Sequence, residues 1–116
     1  MGYMTRTTRN LIDELDAAVT GQGASCDRAH TALVVGFDLE CRMIFQDESD
    51  RLQKLNTLVS NGGIPLGFIK VIKVGDDLQF FSRPLTGFEK NPKILRILNE
   101  LCTMVGKMMA SGEEVF

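Results

Sequence analysis

A cysteine, an aspartate and the chain's one histidine stand close together at Cys26, Asp27 and His30. In the right geometry these types make a nucleophile, an orienting carboxylate and a general base, because imidazole ionises near neutral pH. Triads are normally assembled from separate elements, however, and members crowded into one short segment rarely reach the required angles. The same Cys26 and His30, with Cys41 further along, offer three ligands to zinc. A structural zinc site wants four, and the chain has no Cys-x-x-Cys pair, so the segment reads as a polar loop with an incidental thiol. Asp47, Glu48 and Asp50 resemble a hard-cation cluster, yet helix capping and dipole compensation account for all three. No metal, no cofactor and no catalytic acid–base pair is expected, and the chain reads as a non-enzyme.

Two glycine-bearing segments, Gly21-x-Gly23 and Gly62-Gly63-Ile-Pro-Leu-Gly67, could present backbone N–H groups to an anion. The dinucleotide fingerprint needs a strand before its glycines and a helix after them. Here the expected order is reversed, and the Gly-Lys-Ser/Thr of a phosphate loop is missing. Both segments therefore read first as helix C-caps, although two long loops beside one sheet also frame a small pocket. Lys70, Lys73, Arg83 and Lys90 cluster downstream, with Phe80, Phe81 and Phe88 interleaved. Cations among aromatic rings hold nucleotides by stacking and charge. Adjacent Phe80 and Phe81 must face opposite sides of a strand, so at least one belongs to a core. The cluster is either a covered sheet with a basic rim or a site for a small anionic ligand. In the second case its residues are Lys70, Lys73, Phe81 and Arg83, with Gly62 and Gly63.

The elements that must position these residues follow from periodicity. The chain has 116 residues, 44% apolar and 24% charged, the composition of an ordinary globular protein. A single domain over residues 1–116 is expected, with 1–6 as a flexible lead-in. Leu11, Ile12, Leu15, Ala18 and Val19 share one face of a helix over Thr8–Thr20, capped by Gly21. Cys26–His30 belong to the loop. Thr31–Val35 and Leu39–Gln46 form a hairpin turning at Gly36-Phe37-Asp38, with Leu39, Cys41, Met43 and Phe45 on one face. A short helix begins at Asp47, carries the stripe Leu52, Leu55, Leu58 and Val59, and ends at Gly62. Phe68–Val74 and Leu78–Arg83 form a second hairpin around Gly75-Asp76-Asp77, and Pro84 ends it or marks an edge. The last helix starts at an Asn91 cap with Pro92 in its first turn. The expected fold is α+β, in the order α-β-β-α-β-β-α, with a small, mostly antiparallel four-stranded sheet.

That last helix, Asn91 to about Met109, carries an unbroken apolar arc of roughly 180°, wider than the stripe of about 100° that one contact needs. Either the sheet and a neighbouring helix cover all of it, or part packs on a second copy. Leu101, Met104, Val105, Met108 and Met109 are the expected interface, since unbranched methionine suits adaptable contacts.

A net charge of −2 and a pI near 5.3 supply no field for extended nucleic acid. No run is apolar enough to span about 30 Å of hydrocarbon. The start lacks the apolar core of a secretory signal, and three widely spaced cysteines suit reduced thiols in the cytoplasm. The element order and the hairpin Thr31-Ala-Leu-Val-Val-Gly-Phe-Asp-Leu-Glu40 are loosely similar to roadblock/light-chain-7 domains. That resemblance implies a small homodimeric α/β platform regulating GTPases or motors, although the family's fifth strand has no counterpart before Asn91. The expected function is a non-enzymatic interaction or regulatory module, homodimeric through its C-terminal helix. The alternative is a protein that binds or sequesters an anionic nucleotide, such as a sensor or counter-defence protein.

Overall fold

Two hairpins and the strand pair that joins them build one antiparallel sheet. In a computed structural model the described residues are 2–20 and 26–115. The elements are α1 (Gly2–Thr20), β1 (Arg28–Phe37), β2 (Glu40–Phe45), α2 (Arg51–Ser60), β3 (Ile64–Val74), β4 (Asp77–Pro84) and α3 (Pro92–Ala110). The strands lie in the order β2-β1-β3-β4, every neighbouring pair antiparallel. The fold is α+β, with helices on both faces of the sheet. No helix among the described residues is long and apolar enough to cross a membrane.

Strand alternation sorts the apolar residues into two cores. Leu33 and Val35 of β1, Ile44 of β2 and Phe68 of β3 point to one face. There they meet Leu11, Ile12 and Leu15 of α1 and Leu55 of α2. Ala32, Val34, Phe45, Ile69 and Val71 point to the other face and meet Leu98, Cys102, Val105 and Met109 of α3, with Val115 beyond it. Thr31–Val35 are buried without a break, as expected of a central strand covered on both faces. Asn91 caps α3, its side chain accepting from the Lys93 and Ile94 N–H groups, which satisfies orphan donors of the first turn.

Element boundaries shift where tertiary pairing outweighs local composition. α1 begins at Gly2, ahead of Thr8, and the expected Gly21 cap lies outside the described residues. Arg28–His30 belong to β1 instead of a loop because β3 pairs with them, Arg28 against Lys73 and His30 against Val71. The first turn falls at Asp38-Leu39, with Asp38 at a φ of 39°. Leu39 is therefore fully exposed, not part of the buried face expected for it. The helix cap position is Asp50, which makes no side-chain cap bond. Asp47 stands before it, while Glu48 pairs with Lys54 at 3.4 Å.

The largest change is in the second glycine segment, of which Ile64–Gly67 is strand. The register between β1 and β3 slips at Val34/Val35, pairing Val34 with Gly67 and Val35 with Pro65. Leu66 is the extra residue of a bulge and turns into the α3-side core. Pro65 lies beyond the last residue that β4 covers, where its missing N–H costs little. Gly67 sits where backbones crowd: a Cβ there would stand 2.5 Å from the Arg83 carbonyl oxygen and 2.8 Å from the Pro84 Cα. Gly67→Ala is expected to destabilise the fold by about 1–3 kcal/mol. Urea denaturation measures this, and an unchanged midpoint would contradict the close approach.

Candidate functional site

The helices cover the sheet diagonally. α1 rests chiefly on β1 and α2 on β2, whereas α3 lies on β3 and β4 from the opposite side. Beyond the buried Phe68, the α1 side of β3 and β4 is consequently only partly covered, and a cleft of about 660 Å³ opens between that surface and α1. The register sets Lys70 beside Phe81 and Phe68 beside Arg83, with all four side chains on this face. Ala17 and Ala18 form the α1 wall together with Glu14. Two alanines in succession leave the space that longer side chains would fill.

The Lys70 Nζ lies 3.5 Å from the Ala18 carbonyl oxygen, near the end of α1, where the helix dipole is negative. It also stands 5.8 Å from the Phe81 ring centroid. Burial pushes Lys70 below the ordinary ammonium value, and the neighbouring Cys26 opposes that shift. Arg83 stacks 5.1 Å over the Phe68 ring and reaches Glu14 at 3.9 Å. Phe81 keeps 50% of its surface exposed. Two cations on neighbouring strands thus flank an aromatic floor, with one carboxylate at the rim. Such a surface favours a flat ring carrying negative charge over a bare polyanion, because stacking and cation contacts act on different parts of it.

Of the residues singled out in the sequence, Lys70, Phe81 and Arg83 come together here. Lys73 does not, since its strand partner Leu78 faces α3, against Gly106. Gly62 and Gly63 lie at the far end of β3, away from the cleft. Gly63 packs so tightly that a Cβ would come within 2.7 Å of both the Leu58 carbonyl oxygen and Val35, and its role is structural. Gly21 and Gly23 lie outside the described residues. Glu14, Thr31 and Phe68 also line the cleft but were not singled out beforehand. The Ala17-Ala18 step, followed by the lone polar Thr31 at the head of an apolar run, is the signal that could have found it.

The expected helix interface divides. Val105 and Met109 are 1% and 2% exposed and hold α3 to its own sheet, so they form core instead of a docking surface. Leu101 and Met108 are half-buried against the same core, and Met104 keeps 42% of its surface open. The arc is mostly covered because Val115, Met43 and Cys41 pack around the same core beside the sheet.

Cys26 precedes β1, while the His30 side chain within it meets Phe45 edge-on at 5.9 Å and 83° on the α3 side of the sheet. Burial pushes the Cys41 and Cys102 thiols up, away from the thiolate form that nucleophiles need. Among the described residues no group of three His, Cys, Asp or Glu side chains is placed to hold a metal ion. In comparisons with protein-family models, curated proteins and solved structures, none matches the chain. No match supports the loose similarity to roadblock/light-chain-7 domains, and element order alone fixes no function.

His30 makes stability depend on pH. Burial, and then the nearby Arg28, lower its pKa from 6.5, against a smaller opposing pull from Asp47. The unfolded chain takes up the proton first, so this contribution is complete above pH 6.5 and is lost as pH falls through the lowered folded value. Urea midpoints are expected to fall between pH 7 and pH 5, by at most about 1.4 kcal/mol per pH unit from this group. His30→Gln should flatten that slope, and an unaltered slope would remove His30 as its source.

Proposed function

We propose that the protein is a non-enzymatic binding module whose cleft between α1 and the β3–β4 hairpin takes a small anion bearing a flat ring, of the nucleotide class. One observation carries this reading. Lys70 and Arg83 flank a Phe81 ring that is half open to solvent, in a cleft large enough for such a ring. The net charge of −2 supports a small ligand over extended nucleic acid, whose binding draws on a broad basic field. Free thiols at Cys26, Cys41 and Cys102 support a reducing, cytoplasmic setting. Sequestering or sensing the ligand is the activity that such a site serves.

A thermal-shift series with mononucleotides tests the reading. Ligand at about 100 times Kd adds about 2.7 kcal/mol of stability. Lys70→Glu and Phe81→Ala are expected to abolish the shift. Lys73→Glu, on the opposite face, should leave it intact. No shift with any nucleotide, or one lost equally in Lys73→Glu, would end the proposal.

A second reading, a regulatory module homodimeric through α3, is favoured by exposed Met104 beside half-buried Leu101 and Met108. Sedimentation of Met104→Asp measures it. Loss of a wild-type dimer is the expected result, and a dimer indifferent to the change would retire that interface.

A further inference from the structure

β4 is an edge strand, and Gln79–Arg83 are all exposed. The hairpin dictates which backbone groups it presents. The two-residue turn Gly75-Asp76, with Gly75 at a φ of 60°, joins Val74 and Asp77, which pair across the ladder. In such hairpins the residues flanking the turn form the hydrogen-bonded pair. Alternation then aims the N–H and C=O groups of Leu78, Phe80 and Ser82 outward. Independent support comes from Lys73, the partner of Leu78. Its carbonyl accepts from the Asp27 N–H at 2.9 Å and therefore faces β1, not β4.

We propose that this edge pairs with β4 of a second copy of the chain, antiparallel and centred on Phe80, so that one sheet runs through both subunits. A two-fold antiparallel pair must set same-face residues opposite each other, which leaves few registers. Centred on Phe80, the pairing opposes Phe80 to Phe80, Leu78 to Ser82 and Gln79 to Phe81. It also opposes Asp77 to Arg83 twice, once on each side of the axis. Every outward N–H of Leu78, Phe80 and Ser82 then meets an outward carbonyl, and each Asp77 stands opposite an exposed Arg83 that exchanges its 3.9 Å contact with Glu14 for the carboxylate across the axis. Centred on Phe81, the pairing sets Leu78 against Pro84, which has no N–H, and Arg83 against neutral Gln79. A parallel arrangement sets Asp77 beside Asp77. Charges on an edge strand ordinarily repel a neighbour, but these are placed to attract a copy of themselves. Phe80, 47% exposed in one subunit, is covered by its counterpart across the axis.

The surface is distinct from the α3 arc around Met104. Asn99 and Gly106 carry the contacts of α3 to Ser82, Leu78 and Phe80, and helical spacing puts Met104 on the opposite flank.

The test is sedimentation equilibrium of the full chain from low to high micromolar concentration. The wild type is expected to dimerise. Asp77→Arg and Arg83→Asp should each weaken the dimer at least about tenfold, since each replaces two attractive cross-strand pairs with repulsive ones. Mixing the two variants should restore dimers, because each then supplies the charge the other lacks. Phe80→Lys places two ammonium groups on the axis and must also give monomers, which keeps the test open if Arg83→Asp impairs folding. A monomeric wild type overturns the proposal. A dimer that survives Asp77→Arg and Phe80→Lys overturns it too, as does a mixture of folded variants that stays monomeric. Dissociation by Met104→Asp but not by the β4 changes would assign self-association to α3 instead.

Discussion

The antiparallel pairing of β1 with β3 is the constraint on which the rest of the structure depends. These two strands are the centre of the sheet, and each contributes side chains to both cores. Because β1 buries Thr31–Val35 continuously, it needs cover on both sides, and the helices supply it from opposite sides. The hydrophobic term for such a strand is large, about 1.5–3 kcal/mol for each fully buried aliphatic side chain, an upper bound given a compact unfolded chain. The bulge at Leu66 belongs to the same seam. It lets β3 deliver Leu66 to the α3 side while Phe68 still reaches the other.

Offset cover explains why the bare surfaces occur where they do. Three helices of this length cannot sheathe both faces of four strands, so α1 with α2 takes one diagonal and α3 the other. The uncovered quarter beside α1 collects side chains whose register was set for other reasons. Lys70 comes to Phe81 and Arg83 to Phe68 because the Gly75-Asp76 turn fixes the hairpin. Cations resting on ring faces lose some hydration but keep an electrostatic partner, a compromise suited to a surface that is neither core nor free solvent. β4 itself is covered on one face, partnered along one side, and open on the other two.

Much of this layout was legible in the amino-acid sequence. The element order, the α+β class, the Asn91 cap and the stripe Leu52, Leu55, Leu58 and Val59 follow from period and capping chemistry, which are local. Boundaries set by distant pairing were not legible. His30 looks like loop until Val71 is known to lie beside it, and Ile64–Gly67 looks like loop because Pro65 and Gly67 sit in a strand only beside the bulge. The cleft was half legible, since charge and aromatic content pointed to Lys70, Phe81 and Arg83. Alternation alone could have removed Lys73, three residues from Lys70 and so on the other face. Glu14 and Phe68 arrive from α1 and β3 through packing, which no spacing encodes. For α3, the periodicity placed Leu98, Cys102, Val105 and Met109 on one face, but it could not show that the chain after the helix brings Val115 into the same core.

The seam between β1 and β3 also governs how the chain reaches this state. Each hairpin closes over a two-residue turn, and such closures take microseconds. Joining the hairpins instead requires the chain to loop across α2 before any cross-strand contact forms, a non-local step that slows folding. Until it happens there are two separate ribbons, four open strand borders, and apolar side chains on both surfaces of each. Pairing Val34 with Gly67 across the bulge is thus the long-range closure that contact order marks as the slow one, and until it is made the apolar faces of both ribbons stand open to other chains.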